Sequence, residues 1–226
     1  MTAAAARSSP GPAPKRPLAG AQRWVPPDAD VSTLARAAAD CRGCELHEQA
    51  TGTVFGAGPA PARLMLVGEQ PGDQEDRTGT PFVGPAGQVL HRALRAAGLD
   101  ITTAWITNAV KHFHHVERGK RRLHRTPQAR HISACRPWLA AEIVAVRPRL
   151  VVVLGATAGR SFYGPGFRVG PARGVLQPWP DTFEAGDPAA QVLVTVHPSA
   201  VLRAPDREAA FADLVADLKP ALDVLS

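Results

Sequence analysis

Two short runs of this chain hold side chains able to move protons and grip an anion. Gly68-Glu69-Gln70-Pro71-Gly72-Asp73 gathers two carboxylates and an amide in one turn. Glycine lets backbone approach a ligand closely, and proline stiffens the loop. Glu69 and Asp73 can accept protons or hold water, and Gln70 can both donate and accept hydrogen bonds. The second run is His197-Pro198-Ser199, with Arg203 a turn later. It offers a ring N–H for an anion forming on a ligand, and a hydroxyl and a guanidinium for a phosphate. Taken singly, the first run fits an ordinary strand-to-helix turn with acids near a helix N-terminus. The second fits a structural histidine beside a surface arginine.

The elements around these runs say more. Leu64 to Val67 and Leu150 to Leu154 are short apolar runs, and Ala104 to Thr107 and Val192 to Val196 fit the same strand length. Helical spacing is predicted over Val31–Asp40, Ala86–Ala97, Pro127–Val146, Ala156–Tyr163 and Asp206–Leu218, with Pro127 tolerable near a helix start. Strands alternating with helices predict an α/β fold: three layers, α/β/α, around a central, mostly parallel, four-stranded sheet. In such sheets ligands bind at the carboxyl ends of the strands. Gly68, Asn108 and His197 each follow a strand end, so three polar loops converge on one sheet edge.

Bulk properties set the limits. The 226 residues suffice for one sizeable core, and 45% hydrophobic with 20% charged residues is ordinary for a soluble globular protein. Residues 1–27, rich in Ala, Pro, Ser and Gly, read as a disordered tail, and 28–226 as a single domain. The formal charge of +6 favours a polyanionic partner without separating nucleic acid from an anionic membrane. The apolar stretch around Leu150 to Ala158 is too short to span a bilayer, and the N-terminus lacks the apolar segment of a signal peptide. A cytoplasmic protein is expected, nucleoid-associated when on DNA, with no membrane partner and no obligatory protein partner. Three cysteines, Cys41, Cys44 and Cys135, argue against a disulfide framework. The Cys41-x-x-Cys44 pair suits a metal or a redox dithiol, or simply two buried thiols.

Together the loops carry a resemblance. Gly68 to Asp73, Pro81-Phe82-Val83-Gly84-Pro85-Ala86-Gly87, Thr107-Asn108 and His197 to Arg203 resemble, in order and approximate spacing, the iron–sulfur uracil-DNA glycosylases. Lys120-Arg121-Arg122-Leu123-His124 looks like the extra loop of the uracil-DNA glycosylase X (UdgX) family, which becomes covalently joined to uracil-containing DNA. Leu123 stands where isoleucine is more usual, and Ala200 where a second serine is common; both changes conserve size.

The resemblance implies roles. The substrate is uracil in DNA, with single strands accepted or the nucleotide flipped from the duplex. Phe82 would stack on the base, Asn108 would read its Watson–Crick edge with Gln70 alongside, and His197 would stabilise the uracil anion. His124 would capture the sugar, with Glu69 balancing the proton and Asp73 in the same chemistry. Lys120, Arg121, Arg122, Ser199 and Arg203 would contact the DNA backbone, with Arg122 alternatively holding Glu69. Cys41, Cys44 and Cys135 match three cysteine ligands of the family's [4Fe–4S] cluster. The remaining cysteine would fall after Lys111, where this chain has His112, so His112 is the expected fourth ligand, with His114 and His115 as nearby substitutes. A Cys₃His zinc site fits the same residues. The activity implied is excision of uracil followed by self-trapping on DNA. The alternatives are a conventional glycosylase that turns over, or a non-catalytic metal-bearing nucleic-acid-binding module.

Overall fold

A computed structural model describes residues 18–226. In chain order its helices and strands are α1 (Val31–Ala38), β1 (Leu64–Gly68), α2 (Asp73–Thr78), α3 (Pro85–Ala96), β2 (Ala104–Asn108), β3 (His115–Arg118), β4 (Arg121–His124), α4 (Ala129–Val146), β5 (Leu150–Leu154), α5 (Gly155–Tyr163), α6 (Val169–Ala172), β6 (Leu176–Pro178), β7 (Gln191–Thr195), α7 (Ser199–Arg203), α8 (Arg207–Leu218) and α9 (Ala221–Leu225).

The central sheet runs β2-β1-β5-β7-β6. Its first four strands are parallel, and β6 pairs antiparallel with β7. The expected α/β/α architecture is therefore present, with five strands where four were predicted. The fifth, Leu-Gln-Pro, is too short for its pattern to stand out. Pro178 is tolerated because β6 is an edge strand, where a missing N–H interrupts little pairing.

The apolar strands are buried on both faces because helices cover both. Leu64 and Leu66 of β1 pack with Leu90 and Leu94 of α3 and with Leu214 and Leu218 of α8. Met65 and Val67 point the other way, onto Trp138, Leu139 and Ile143 of α4 and Phe162 of α5. Each such buried side chain contributes about 1.5–3 kcal/mol before chain entropy is subtracted. Among the described residues no helix is long and apolar enough to cross a membrane.

Two features differ from the sequence expectation. Of the predicted tail, residues 1–17 lie outside the described residues, whereas the chain is packed well before residue 28. Ala21 is buried, its N–H donates to the Ala134 carbonyl (2.8 Å), and Gln22–Trp24 forms a 3-10 turn. The basic run is also not a plain loop. β3 and β4 form an antiparallel hairpin outside the main sheet, pairing His115 with His124 at its base and Arg118 with Arg121 at its tip. Neither strand carries apolar alternation, so periodicity could not reveal it; Gly119, at φ +59°, supplies the left-handed residue its turn needs.

Candidate active site

The carboxyl ends of β1, β2, β5 and β7 open into a cavity of about 540 Å³, whose lining includes Glu69, Gln70, Phe82, Asn108, His124, His197 and Arg203. The loops reach it because the backbone makes room. A Cβ on Gly68 would lie 2.4 Å from the Asn108 Oδ1 and 2.5 Å from the Phe82 ring, so only glycine lets those side chains meet over the strand end. Phe82 holds a φ of +56°, a conformation costing on the order of 1–3 kcal/mol for a residue with a Cβ. The loop around it is clamped by Glu75, a residue the sequence did not single out. Its carboxylate accepts from the Gly72 N–H (3.0 Å) and the Gly84 N–H (2.8 Å), tying the Glu69 loop to the Phe82 loop.

At the floor, Asn108 is 2% exposed and its Oδ1 has no hydrogen-bond partner. An orphaned buried carbonyl costs about 1–3 kcal/mol, which a ligand N–H entering the cavity would recover. The backbone carbonyl of Asn108 accepts from Lys111 Nζ (2.8 Å). That ammonium is itself buried, and it pairs with Glu142 and donates to Thr107 Oγ1 (2.6 Å). Glu142 also accepts from Thr107 Oγ1 (2.8 Å) and Trp105 Nε1 (3.2 Å).

His197 sits opposite. The Ser199 N–H donates to its Nδ1 (3.2 Å), and the Ser199 hydroxyl lies 2.8 Å from the same atom. A nitrogen that accepts from an amide carries no proton, so the neutral ring holds its proton on Nε2. Burial, reinforced by His124 and Arg203, lowers the His197 pKa to about 4 despite the opposing charge of Glu69. The ring is thus a neutral N–H donor at neutral pH.

Glu69 uses both oxygens. Oε1 lies 3.2 Å from His124 Nε2, and Oε2 accepts from Thr157 Oγ1 (2.5 Å). Burial alone would raise its pKa. The hydrogen bonds from His124 and Thr157 outweigh that and hold it below the usual carboxylate value.

The hairpin that carries His124 is fixed at its base and along β4. Gln70 Nε2 donates to the carbonyls of His114 (3.2 Å) and Arg125 (3.1 Å), and its Oε1 accepts from the His114 N–H (3.0 Å). Gln70 therefore lines the cavity with its amide already spent on the two ends of the hairpin, and is not free to read a base with that side chain. Arg122, expected on phosphate or alternatively on Glu69, is not paired with Glu69. It reaches Asp73 through Nε (2.6 Å) and Asp76 through a terminal nitrogen (2.5 Å), with its side chain 13% exposed. Asp73, expected in the chemistry, is absent from the cavity lining and serves as counter-ion to Arg122 and Arg77, which keep its pKa low. Lys120 and Arg121 remain exposed at the hairpin tip, Arg203 lines the cavity, and the Ser199 hydroxyl is occupied by His197.

The three cysteines come together, buried and unbridged. Burial first, then the proximity of Cys41, pushes the Cys44 thiol up to about 11; Cys135 rises to about 12, again mainly through burial, with Cys44 and Cys41 adding to it. Trp138 Nε1 donates to Cys41 Sγ (3.2 Å) and the Lys111 N–H to Cys135 Sγ (3.3 Å). Buried soft thiols with N–H donors suit a thiolate-bound metal or cluster, which would also remove the cost of ionising them. His112 is not drawn in with them. Its Nε2 lies 3.0 Å from Thr53 Oγ1, and its ionisable neighbours are His47 and Asp76. Among the described residues no group of three or more His, Cys, Asp or Glu side chains is arranged to hold a metal ion. The expected ligand set is therefore not assembled, although Cys41, Cys44 and Cys135 share one buried cluster.

Comparison with known proteins bears on this geometry. Residues 55–219 match the family described as the uracil DNA glycosylase superfamily. The chain is 37% identical over 163 residues to a type-4 uracil-DNA glycosylase of Thermotoga maritima, covering 72% of this chain and 78% of that protein. It is 32% identical over 176 residues to a type-4 uracil-DNA glycosylase of Pyrobaculum aerophilum, covering 78% and 86%. A type-5 uracil-DNA glycosylase of the same organism is 36% identical over 115 residues, 44% of this chain.

Proposed function

The chain belongs to the uracil DNA glycosylase superfamily, and on that footing we propose that it excises uracil from DNA and then keeps the sugar, through a covalent bond from a ring nitrogen of His124 to C1′. The observation that carries excision is the orphaned Asn108 Oδ1 buried beside Phe82 in the cavity. Uracil supplies the N–H that this oxygen lacks, and the amide N–H₂ can meet its neighbouring carbonyl. Cytosine presents an acceptor where uracil presents that donor, and would leave the buried amide unpaired. Phe82 provides the face on which a flipped or single-stranded base rests.

When the C1′–N1 bond breaks, its electron pair stays with uracil, and the Nε2–H of neutral His197 stabilises that anion. His124 attacks C1′ with its unprotonated ring nitrogen, and Glu69 accepts the proton released from the other nitrogen. The product is a neutral N-alkylated imidazole, a poor leaving group, so the bond persists. The contact between Glu69 and His124, at the end of a basic run that resembles the extra loop of UdgX, favours trapping over turnover.

Lys120 and Arg121, at the hairpin tip and without an acidic partner among the described residues, are the residues we assign to the DNA backbone. Replacing both by alanine is expected to lower the slope of log affinity against log salt by roughly 1.4 for single-stranded DNA. Unchanged slopes would place the backbone elsewhere.

Cys41, Cys44 and Cys135, with His112, are the residues we assign to a [4Fe–4S] cluster; zinc is the alternative for the same donors. Such a cluster supplies structural cross-linking here, tying the segment after α1 to the start of α4. Iron and acid-labile sulfide in anaerobically prepared protein, both lost in Cys135→Ser, are expected; zinc alone would exclude the cluster.

The deciding experiment is one denaturing gel. The protein is mixed with uracil-containing single-stranded DNA, heated in detergent, and compared with thymine DNA. A uracil-dependent shifted band supports trapping. Free abasic product without a shifted band indicates a glycosylase that turns over, and binding without either product a non-catalytic module.

A further inference from the structure

Glu69 has one task in the trapping reaction, to take a proton from His124, and its carboxylate must be turned correctly to do so. The terminal torsion of a glutamate is broad and roughly two-fold, so nothing intrinsic to Glu69 aims Oε1 at the hairpin. His124 Nε2 lies 3.2 Å from Oε1, on one side of the carboxylate only. The second restraint comes from another element. The hydroxyl of Thr157, in the first turn of α5 and 2% exposed, meets Oε2 at 2.5 Å. A hydroxyl bonded to an ionised carboxylate makes a charge-assisted hydrogen bond, roughly twice as strong as a neutral one.

The turn that delivers Thr157 is built for close approach. Gly155 holds a φ of +89°, and a Cβ there would stand 2.9 Å from the Cβ of His197. The β5–α5 turn thus touches both halves of the site, His197 through Gly155 and Glu69 through Thr157.

We infer that Thr157 is a positioning residue for the trapping step: its hydroxyl pins Oε2 of Glu69 so that Oε1 is held ready for the proton of His124. This rests on the trapping reading above. As the proton passes to Oε1, Oε2 becomes the carbonyl oxygen of a carboxylic acid and still accepts from Thr157, so the carboxyl group need not turn during the step.

The groups facing Glu69 are His124 from the hairpin, His197 from the loop after β7 and Thr157 from α5, with Arg203 beyond His197. The step needs both an ionised Glu69 and an unprotonated nitrogen on His124, so the acid limb of the adduct rate belongs to the pair and does not report Glu69 alone. The partition of the excised sugar does report it: with Oε1 turned away from His124, capture slows, while cleavage of the C1′–N1 bond, which uses Asn108, Phe82 and His197, goes on.

The test is the rate of adduct formation on uracil-containing single-stranded DNA, with free abasic product measured in the same samples, for wild type, Thr157→Val and Thr157→Ser. Thr157→Val is expected to slow adduct formation on the order of tenfold, the size of one lost hydrogen bond to a charged group, and to lower the ratio of adduct to abasic product. Thr157→Ser, which keeps the hydroxyl, is expected to restore both. The ratio does not depend on how much protein is active, so partial misfolding of the valine variant lowers both products without changing it. A Thr157→Val ratio that coincides with wild type overturns the inference while leaving trapping intact. Absence of adduct in the wild type overturns the trapping reading, and the role of Thr157 in it falls too.

Discussion

His124→Gln is expected to abolish the detergent-stable band on uracil DNA, lowering adduct yield by on the order of a thousandfold or more. The argument is one of competition. A nucleophile held against C1′ by the hairpin acts at an effective concentration far above that of a group in free solution. Glutamine keeps a polar side chain of similar reach and lacks a nucleophilic nitrogen, so the electrophilic sugar is left to water. Excision itself uses Asn108, Phe82 and His197 and is expected to continue in His124→Gln, with abasic product appearing where the adduct disappeared. Measuring both products in one lane checks the idea. Undiminished adduct in His124→Gln would show that another residue is the nucleophile, and absence of both products would show that His124 is needed for cleavage as well as capture.

Lys111→Met is expected to destabilise the fold by about 3–5 kcal/mol, the range for breaking a buried ion pair by removing one partner. Lys111 and Glu142 are almost wholly enclosed, their side chains 1% and 0% exposed. Methionine fills the volume but leaves the Glu142 carboxylate charged and buried, with only Thr107 and Trp105 as donors. The measurement is the denaturant midpoint, with the slope checked for constancy. Lys111→Met combined with Glu142→Leu is expected to recover much of the loss, because the uncompensated charge is then gone. A Lys111→Met midpoint within error of wild type would refute this account. The pair also supports the carbonyl of Asn108, so the single variant should bind uracil DNA less well in proportion to its disorder.

Much of the frame is legible in the sequence because the signals are local. Leu64–Val67 and Leu150–Leu154 are continuous apolar runs, the mark of strands covered on both faces, and the loops after them are polar and rich in Gly and Pro. That is enough to place Glu69, Asn108 and His197 at one edge of a parallel sheet. β6 and the β3–β4 hairpin were not legible, since Leu176-Gln177-Pro178 is too short and His115–Arg118 has no alternation. Gln70, Asp73 and Arg122 show a different limit. Their types suit a site and they do lie beside one, and the structure adds contacts that no local pattern announces: all three bear on the hairpin.

The sequence by itself determined which residues stand at strand ends, because burial and backbone conformation leave periodic and compositional traces in neighbouring positions. It also placed a histidine, His124, at the end of a basic run. Only the tertiary structure decided which polar groups meet. Arg122 finds Asp73 across 49 positions, Gln70 finds Arg125 across 55, and Thr157 finds Glu69 across 88. A hydrogen bond is set by ångström-scale distances between side chains whose separation along the chain is arbitrary, so no local pattern announces it. Thr157, an inconspicuous residue between two alanines, gains its meaning from the fold that sets it against Glu69.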